Sequence, residues 1–255
     1  MILAIDIGNT NVSLGVIDNY KITFEASLAS DITRTADQFA SEIMTVSALK
    51  GFSLGAVDGA IISSVVPSLT EAVREAVLLL TGKRSIVLGP GVRSGLHIKI
   101  DNPAQLGADL VAGAVGAIDK YELPALIVDL GTATKISVID SKGAYLGCTI
   151  SPGVGISLSA LSGSAALLPE VNLNTLDLPA FGTNTVASMQ AGIVIGTASM
   201  LDGLCDRIEC SLGEKIKTVV ATGGYAGSII PYCSREVVYD KYLIFHGLNC
   251  IYNKN

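Results

Sequence analysis

Apolar and polar positions fall into two similar series along the chain. Residues 1–7 and 12–17 are apolar runs of strand length joined by the tight turn Gly8-Asn9-Thr10-Asn11. Residues 21–29 follow as a third strand, which predicts an opening antiparallel meander. Residues 35–49 carry Ala36, Phe39, Ala40, Ile43 and Met44 on one side of a helix. A strand at 59–63, a helix opened by Pro67 and running to 80, and a strand at 85–88 complete the series. The second half repeats this order approximately, with strands at 125–130, 135–140 and 144–150. Helices over 153–163 and 184–209 follow, then a buried strand at 217–222 that ends in Gly223-Gly224. A helix over 109–119 bridges the halves. The pattern predicts duplicated α/β halves, residues 1–115 and 116–255, with a ligand cleft between them.

Composition narrows the function. Hydrophobic residues make up 49% of the 255, so a large core forms and disorder is excluded. Charged residues are sparse at 16%, the net charge is -6 and the pI is about 4.9. Nucleic-acid binding is not expected, because it needs clustered Lys and Arg. An acidic protein that handles a phosphorylated ligand is expected to bring a metal cation. The start Met1-Ile-Leu-Ala-Ile has no basic region before it and is interrupted by Asp6, and the apolar run 110–118 is bounded by Asp109 and Asp119. These features predict a soluble, cytoplasmic chain with no membrane partner. Five scattered cysteines without a Cys-x-x-Cys pair predict buried free thiols rather than zinc or disulfides.

The chemistry concentrates in the repeat. Asp6-Ile7-Gly8-Asn9-Thr10-Asn11 and Asp129-Leu130-Gly131-Thr132-Ala133-Thr134 share one pattern: a buried strand delivers a carboxylate, and a glycine turn with small hydroxyl residues follows. Small residues let backbone N–H groups approach phosphate oxygens, and Asp6 can act on a phosphate through Mg²⁺. A plain hairpin turn explains either copy alone; two copies favour a nucleotide site. Thr132 and Thr134 offer hydroxyls to phosphates, and Gly223-Gly224 offers a close backbone passage to adenine or ribose. Asp109, in Gly107-Ala108-Asp109-Leu110, opens an apolar helix. It reads either as a helix cap or as a general base toward a substrate hydroxyl.

These segments, with Asp101-Asn-Pro103, Ser151-Pro-Gly153, Gly182-Thr-Asn-Thr185 and Ser188-Met-Gln190, match in order a known family. The chain resembles the type III pantothenate kinases, of the acetate and sugar kinase, Hsp70 and actin superfamily, over essentially its whole length. The resemblance implies ribonuclease H-like (actin-like ATPase) halves, each a mixed five-stranded sheet with helices. It implies ATP-dependent phosphorylation of pantothenate to 4'-phosphopantothenate, the first step of coenzyme A biosynthesis, by a homodimer using Mg²⁺ and a monovalent cation, K⁺ or NH₄⁺. By the same resemblance ATP contacts fall on Asp6, Ile7, Gly8, Asn9, Thr10, Asn11, Val12, Ser13 and Thr132. Asp109 becomes the base and Asp129 the monovalent-cation ligand. Gly107, Ala108, Asp109, Leu110 and Thr185 contact pantothenate.

Three positions depart from the family pattern. Leu110 stands where Arg is common, Ile100 where Tyr is common, and Lys135 follows Thr134 where a second Thr is usual. An Arg there would clamp a carboxylate in a bidentate pair. Its loss leaves room for two other readings: a kinase for another small hydroxylated substrate, or a regulatory or accessory nucleotide-binding protein.

Overall fold

The computed structural model describes residues 1–173 and 177–255. In chain order the first elements are β1 (Ile2–Ile7), β2 (Asn11–Asp18), β3 (Lys21–Ala29), α1 (Ala36–Leu49), β4 (Gly59–Ser64), α2 (Pro67–Thr81), β5 (Ser85–Val87) and β6 (His97–Ile98). Then come α3 (Ala108–Lys120), β7 (Ala125–Leu130), β8 (Ala133–Ile139), β9 (Ala144–Pro152), α4 (Val154–Ser164) and α5 (Thr185–Leu212). β10 (Thr218–Thr222), α6 (Ala226–Ile229), β11 (Val238–Tyr239) and α7 (Leu243–Tyr252) end the chain.

These elements form two units. The first comprises Met1–Leu96, Asp101–Lys120 and Tyr242–Asn255; the second comprises His97–Ile100 and Tyr121–Lys241. A single cut at 115 does not describe this arrangement. All of α3 and the C-terminal helix α7 pack with the first half, while four residues near 100 pack with the second.

In the first unit the sheet order is β3-β2-β1-β4-β5. The central strand β1 runs antiparallel to β2 and parallel to β4. Helices cover both faces, which is why β1 and β4 read as nearly unbroken apolar runs. Leu3, Ile5, Ile7, Leu14, Phe39, Ile43, Leu69 and Val73 share one core. Helix α1 starts on a capping box, Thr35 with Gln38, and α2 starts with Pro67 and stops at left-handed Gly82.

The other face of this sheet is covered by α3 and α7. They meet backbone to backbone: a Cβ on Gly116 would strike the carbonyl of Leu243, and one on Gly247 the carbonyl of Ala112. Small residues at the crossing let α3 bury every side from Val111 to Ala117.

In the second unit the sheet order is β11-β10-β7-β8-β9-β6. It has six strands where five were expected: four longer strands, β10, β7, β8 and β9, flanked by the edge strands β11 and β6, which pair over two residues each. The central β7 repeats the plan of β1, antiparallel to β8 and parallel to β10. Leu126, Val128, Leu130, Val194, Ala198, Leu201 and Val219 share its core.

Candidate functional site: two Asp-Gly turns and a helix start

In the first unit, β1 ends by presenting Asp6, level with Ser13 of β2 and Ser63 of β4. The turn that follows is braced from two sides. Gly8 N–H donates to the Asn11 carbonyl at 2.9 Å, and Ser30 N–H donates to the Thr10 carbonyl at 3.0 Å. Ser30 Oγ donates to the Gly8 carbonyl at 2.6 Å. Asn9, Thr10 and Asn11 are exposed. Of the residues expected at ATP, Ile7 and Val12 are fully buried in the core, so only their backbone is available to a ligand. Ser63 Oγ, level with Asp6, is buried and has no hydrogen-bond partner among the described residues.

Asp109 belongs to the same unit and lies inside the first turn of α3. Its Oδ1 accepts the Leu110 N–H at 2.8 Å. A Cβ on Gly107 would collide with that same oxygen, so glycine leaves the carboxylate its place. Asp109 therefore satisfies part of the helix start and is half-buried. Leu110, the position without the expected Arg, is also half-buried, as is Ile100, which lies in the second unit.

The second unit holds the other turn. Asp129, one residue before the end of β7, is level with Thr222 of β10 and directly opposite Lys135 of β8. Directly opposed residues of an antiparallel pair point to one face, and here they form an ion pair. Lys135 Nζ lies 2.7 Å from Asp129 Oδ2, with the side chains 16% and 17% exposed. The carboxylate expected to hold a monovalent cation thus already faces an ammonium group of its own chain. Thr132 is exposed in the turn. Thr134 is not available as expected: it is 2% exposed, and its hydroxyl has no partner among the described residues.

Two further glycine segments close on this turn. A Cβ on Gly153, at the start of α4, would strike the carbonyls of Thr132 and Gly131. Gly223, at φ 96°, packs its backbone on Leu130, and Tyr225 N–H donates to the Leu130 carbonyl at 3.1 Å. Beside them lies a cavity of about 510 Å³ lined by Leu158, Glu170, Val171, Asn172, Gly224, Tyr225 and others of this unit. Thr185 is the exposed first residue of α5, after the cap in which Asn184 accepts from Ala187 N–H.

Sequence reasoning missed Tyr225 and the role of Gly153. The signal for Gly153 was its place in a Pro-Gly segment immediately after a strand. The Lys135 pairing was readable by counting back from Lys135 across a three-residue turn to Asp129.

The five cysteines form no disulfide. Cys205, Cys233 and Cys250 have thiols pushed up to about 11, 12 and 11, chiefly by burial. Cys148 and Cys210 are exposed, against the expectation of burial. No helix among the described residues is long and apolar enough to cross a membrane.

A family model described as type III pantothenate kinase matches residues 2–207. A type III pantothenate kinase of Moorella thermoacetica is 39% identical over 255 residues, covering all of both chains. One of Exiguobacterium sibiricum is 38% identical over the same span, again covering both in full. Among solved structures, a Campylobacter jejuni protein described as a Baf family transcriptional activator superposes with TM-score 0.62 at 24% identity, over 99% of this chain and 98% of that one. The activator of 2-hydroxyisocaproyl-CoA dehydratase from Clostridium difficile, solved with bound ADPNP, superposes with TM-score 0.59 at 14% identity, over 98% and 93%. These two likenesses carry the fold, that of actin-like ATPases.

Proposed function

The chain belongs to the type III pantothenate kinase family, and from that premise we propose how its own residues divide the work of the reaction. It is a phosphotransferase that uses ATP to phosphorylate pantothenate in coenzyme A biosynthesis. The carrying observation is the full-length match to kinases of this name, with both Asp-Gly turns and Asp109 in place.

On this reading the first turn binds the ATP phosphates through the backbone N–H groups and exposed side chains of residues 8–11, with Thr10 and Ser13 supplying hydroxyls. Asp6, and Ser63 with its unpartnered buried hydroxyl, offer an all-oxygen donor set that fits Mg²⁺. An Mg²⁺ held there would neutralise phosphate charge. Thr132 contacts ATP from the second turn, and the cavity beside Gly224 and Tyr225 has the size for the nucleoside.

Asp109 takes the proton of the pantothenate hydroxyl as that oxygen attacks the γ-phosphorus. The bond from that phosphorus to the β–γ bridging oxygen breaks, and ADP leaves with the electron pair. Gly107, Ala108, Leu110 and Thr185 line the substrate. Since Leu110 supplies no charge, the pantothenate carboxylate is met by a cation other than residue 110.

A monovalent cation ligated by Asp129 does not fit these residues, because Lys135 already holds the carboxylate at 2.7 Å. A homodimer is supported by α4, in which Ile156, Leu158 and Leu161 stand among serines and glycines while only Val154 is buried, and by the exposed Ile150, Leu167 and Phe181 nearby in sequence. A cytoplasmic location agrees with the five unbridged cysteines.

The test is pantothenate-dependent ADP release with Mg²⁺. Asp109→Asn is expected to lower kcat by about 10²- to 10⁴-fold with native melting behaviour. Near-wild-type turnover in this variant would remove Asp109 from the role of base.

A further inference from the structure

Asp129 and Lys135 are a register pair fixed by six residue pairings between β7 and β8, so their side chains share one face whatever the ligand state. Both side chains are more than four-fifths covered, and the charged atoms are 2.7 Å apart. The pair adjoins the turn that carries Thr132 and is closed over by Gly153.

In such a covered place two like charges repel far more strongly than in water. A K⁺ ion beside Asp129 would have to sit against the ammonium. Lys135 could make room only by leaving Asp129 as an uncompensated charge in a desolvated pocket, which is strongly unfavourable. A carboxylate next to a phosphate-binding turn nevertheless needs a positive partner, since it would otherwise repel the nucleotide.

We propose that Lys135 is that partner: a cation built into the chain, which frees the nucleotide site of this kinase from any requirement for added K⁺ or NH₄⁺. The proposal rests on the pantothenate kinase reading of the site. Lys135 acts through Asp129 and the turn, as a positioning residue.

The decisive measurement needs no mutation. Protein freed of K⁺ and NH₄⁺ is assayed with Tris salts of ATP and pantothenate plus Mg²⁺, while K⁺ or NH₄⁺ is added stepwise. The wild type is expected to change by less than about twofold, and activation of about tenfold or more would overturn the proposal. ADP affinity by calorimetry, with and without K⁺, supplies a readout independent of turnover and is expected to be unchanged; K⁺-dependent ADP binding would overturn the proposal too.

Lys135→Thr opens space beside Asp129. It is expected to lose about tenfold of its rate without K⁺ and to regain most of it with K⁺ or NH₄⁺. A folded variant that stays fully active without either ion, or that neither ion rescues, would contradict the role; if the variant does not fold, the wild-type titration decides alone. Failure of pantothenate-dependent ADP release under every ionic condition would instead remove the kinase reading, with ADP binding still testing Lys135 separately.

Discussion

Asp6 and Asp129 occupy matching places in the two units. Each is the penultimate residue of a central strand, with an antiparallel neighbour on one side and a parallel neighbour on the other. Across the antiparallel ladder, however, Asp6 is opposed by Ser13 and Asp129 by Lys135. Four residues lie between the last paired positions of the first hairpin, Ile7 and Val12, and three between those of the second, Leu130 and Thr134. The same backbone device thus carries a carboxylate opposed by a hydroxyl in one unit and an ion pair in the other. Repeating a backbone does not repeat its electrostatics, and on our reading this separates a Mg²⁺-ATP turn from a turn already neutralised.

The largest expected effect that would break this comparison comes from neutralising the first carboxylate. Asp6→Asn is expected to lower kcat/KM about 100-fold or more, with the loss following Mg²⁺ concentration. A variant with ordinary Mg²⁺ dependence would show that the two turns do not differ as described. Next in size is a transplant. Ser13→Lys places an ammonium opposite Asp6, as in the second unit, and is expected to cost about tenfold in rate and to weaken the Mg²⁺ requirement.

A smaller, structural contrast separates the glycines. Gly223→Ala should destabilise by about 1–3 kcal/mol in denaturant titration, because φ is 96° and the new Cβ meets Leu130 backbone. Gly8→Ala should cost less, since its Cβ would meet only the Asn11 carbonyl, at 3.3 Å.

The smallest perturbation is alkylation of the native protein at pH 8. With thiols raised to about 11, 12 and 11, chiefly by burial, Cys205, Cys233 and Cys250 are mostly neutral there and should label far more slowly than the exposed thiols. Cys148 and Cys210 should label. Mass spectrometry would then find the adducts confined to the second unit, as Cys250 is the single cysteine of the first.

The strands and long helices were legible because their patterns are local. Central strands buried on both faces show as apolar runs, and α1 and α2 carry capping and proline signals in the sequence itself. Helix α7 was not legible: its ten residues, Leu243–Tyr252, are apolar on several sides and include Gly247, so a short apolar run hides its period. The two-residue strands β6 and β11 have no periodicity at all and exist only because a neighbouring edge is there to pair with.

In the candidate site, the two carboxylates and their glycine turns stood out as a repeat. What surrounds them is tertiary: the closure of Gly153 on the Thr132 turn, the Tyr225 hydrogen bond to Leu130, and the burial of the Thr134 hydroxyl all depend on segments far apart in the chain.

The return of α7 to the first unit also sets an order of events on the ribosome. Domains usually complete themselves from the N-terminal end as the chain emerges. Here every residue of the second unit, His97–Ile100 and Tyr121–Lys241, is synthesised before Tyr242–Asn255, on which α3 and one face of the first sheet depend. The unit encoded later can therefore finish first. Until Tyr242–Asn255 is translated, the helix that carries Asp109 lacks its glycine-matched partner.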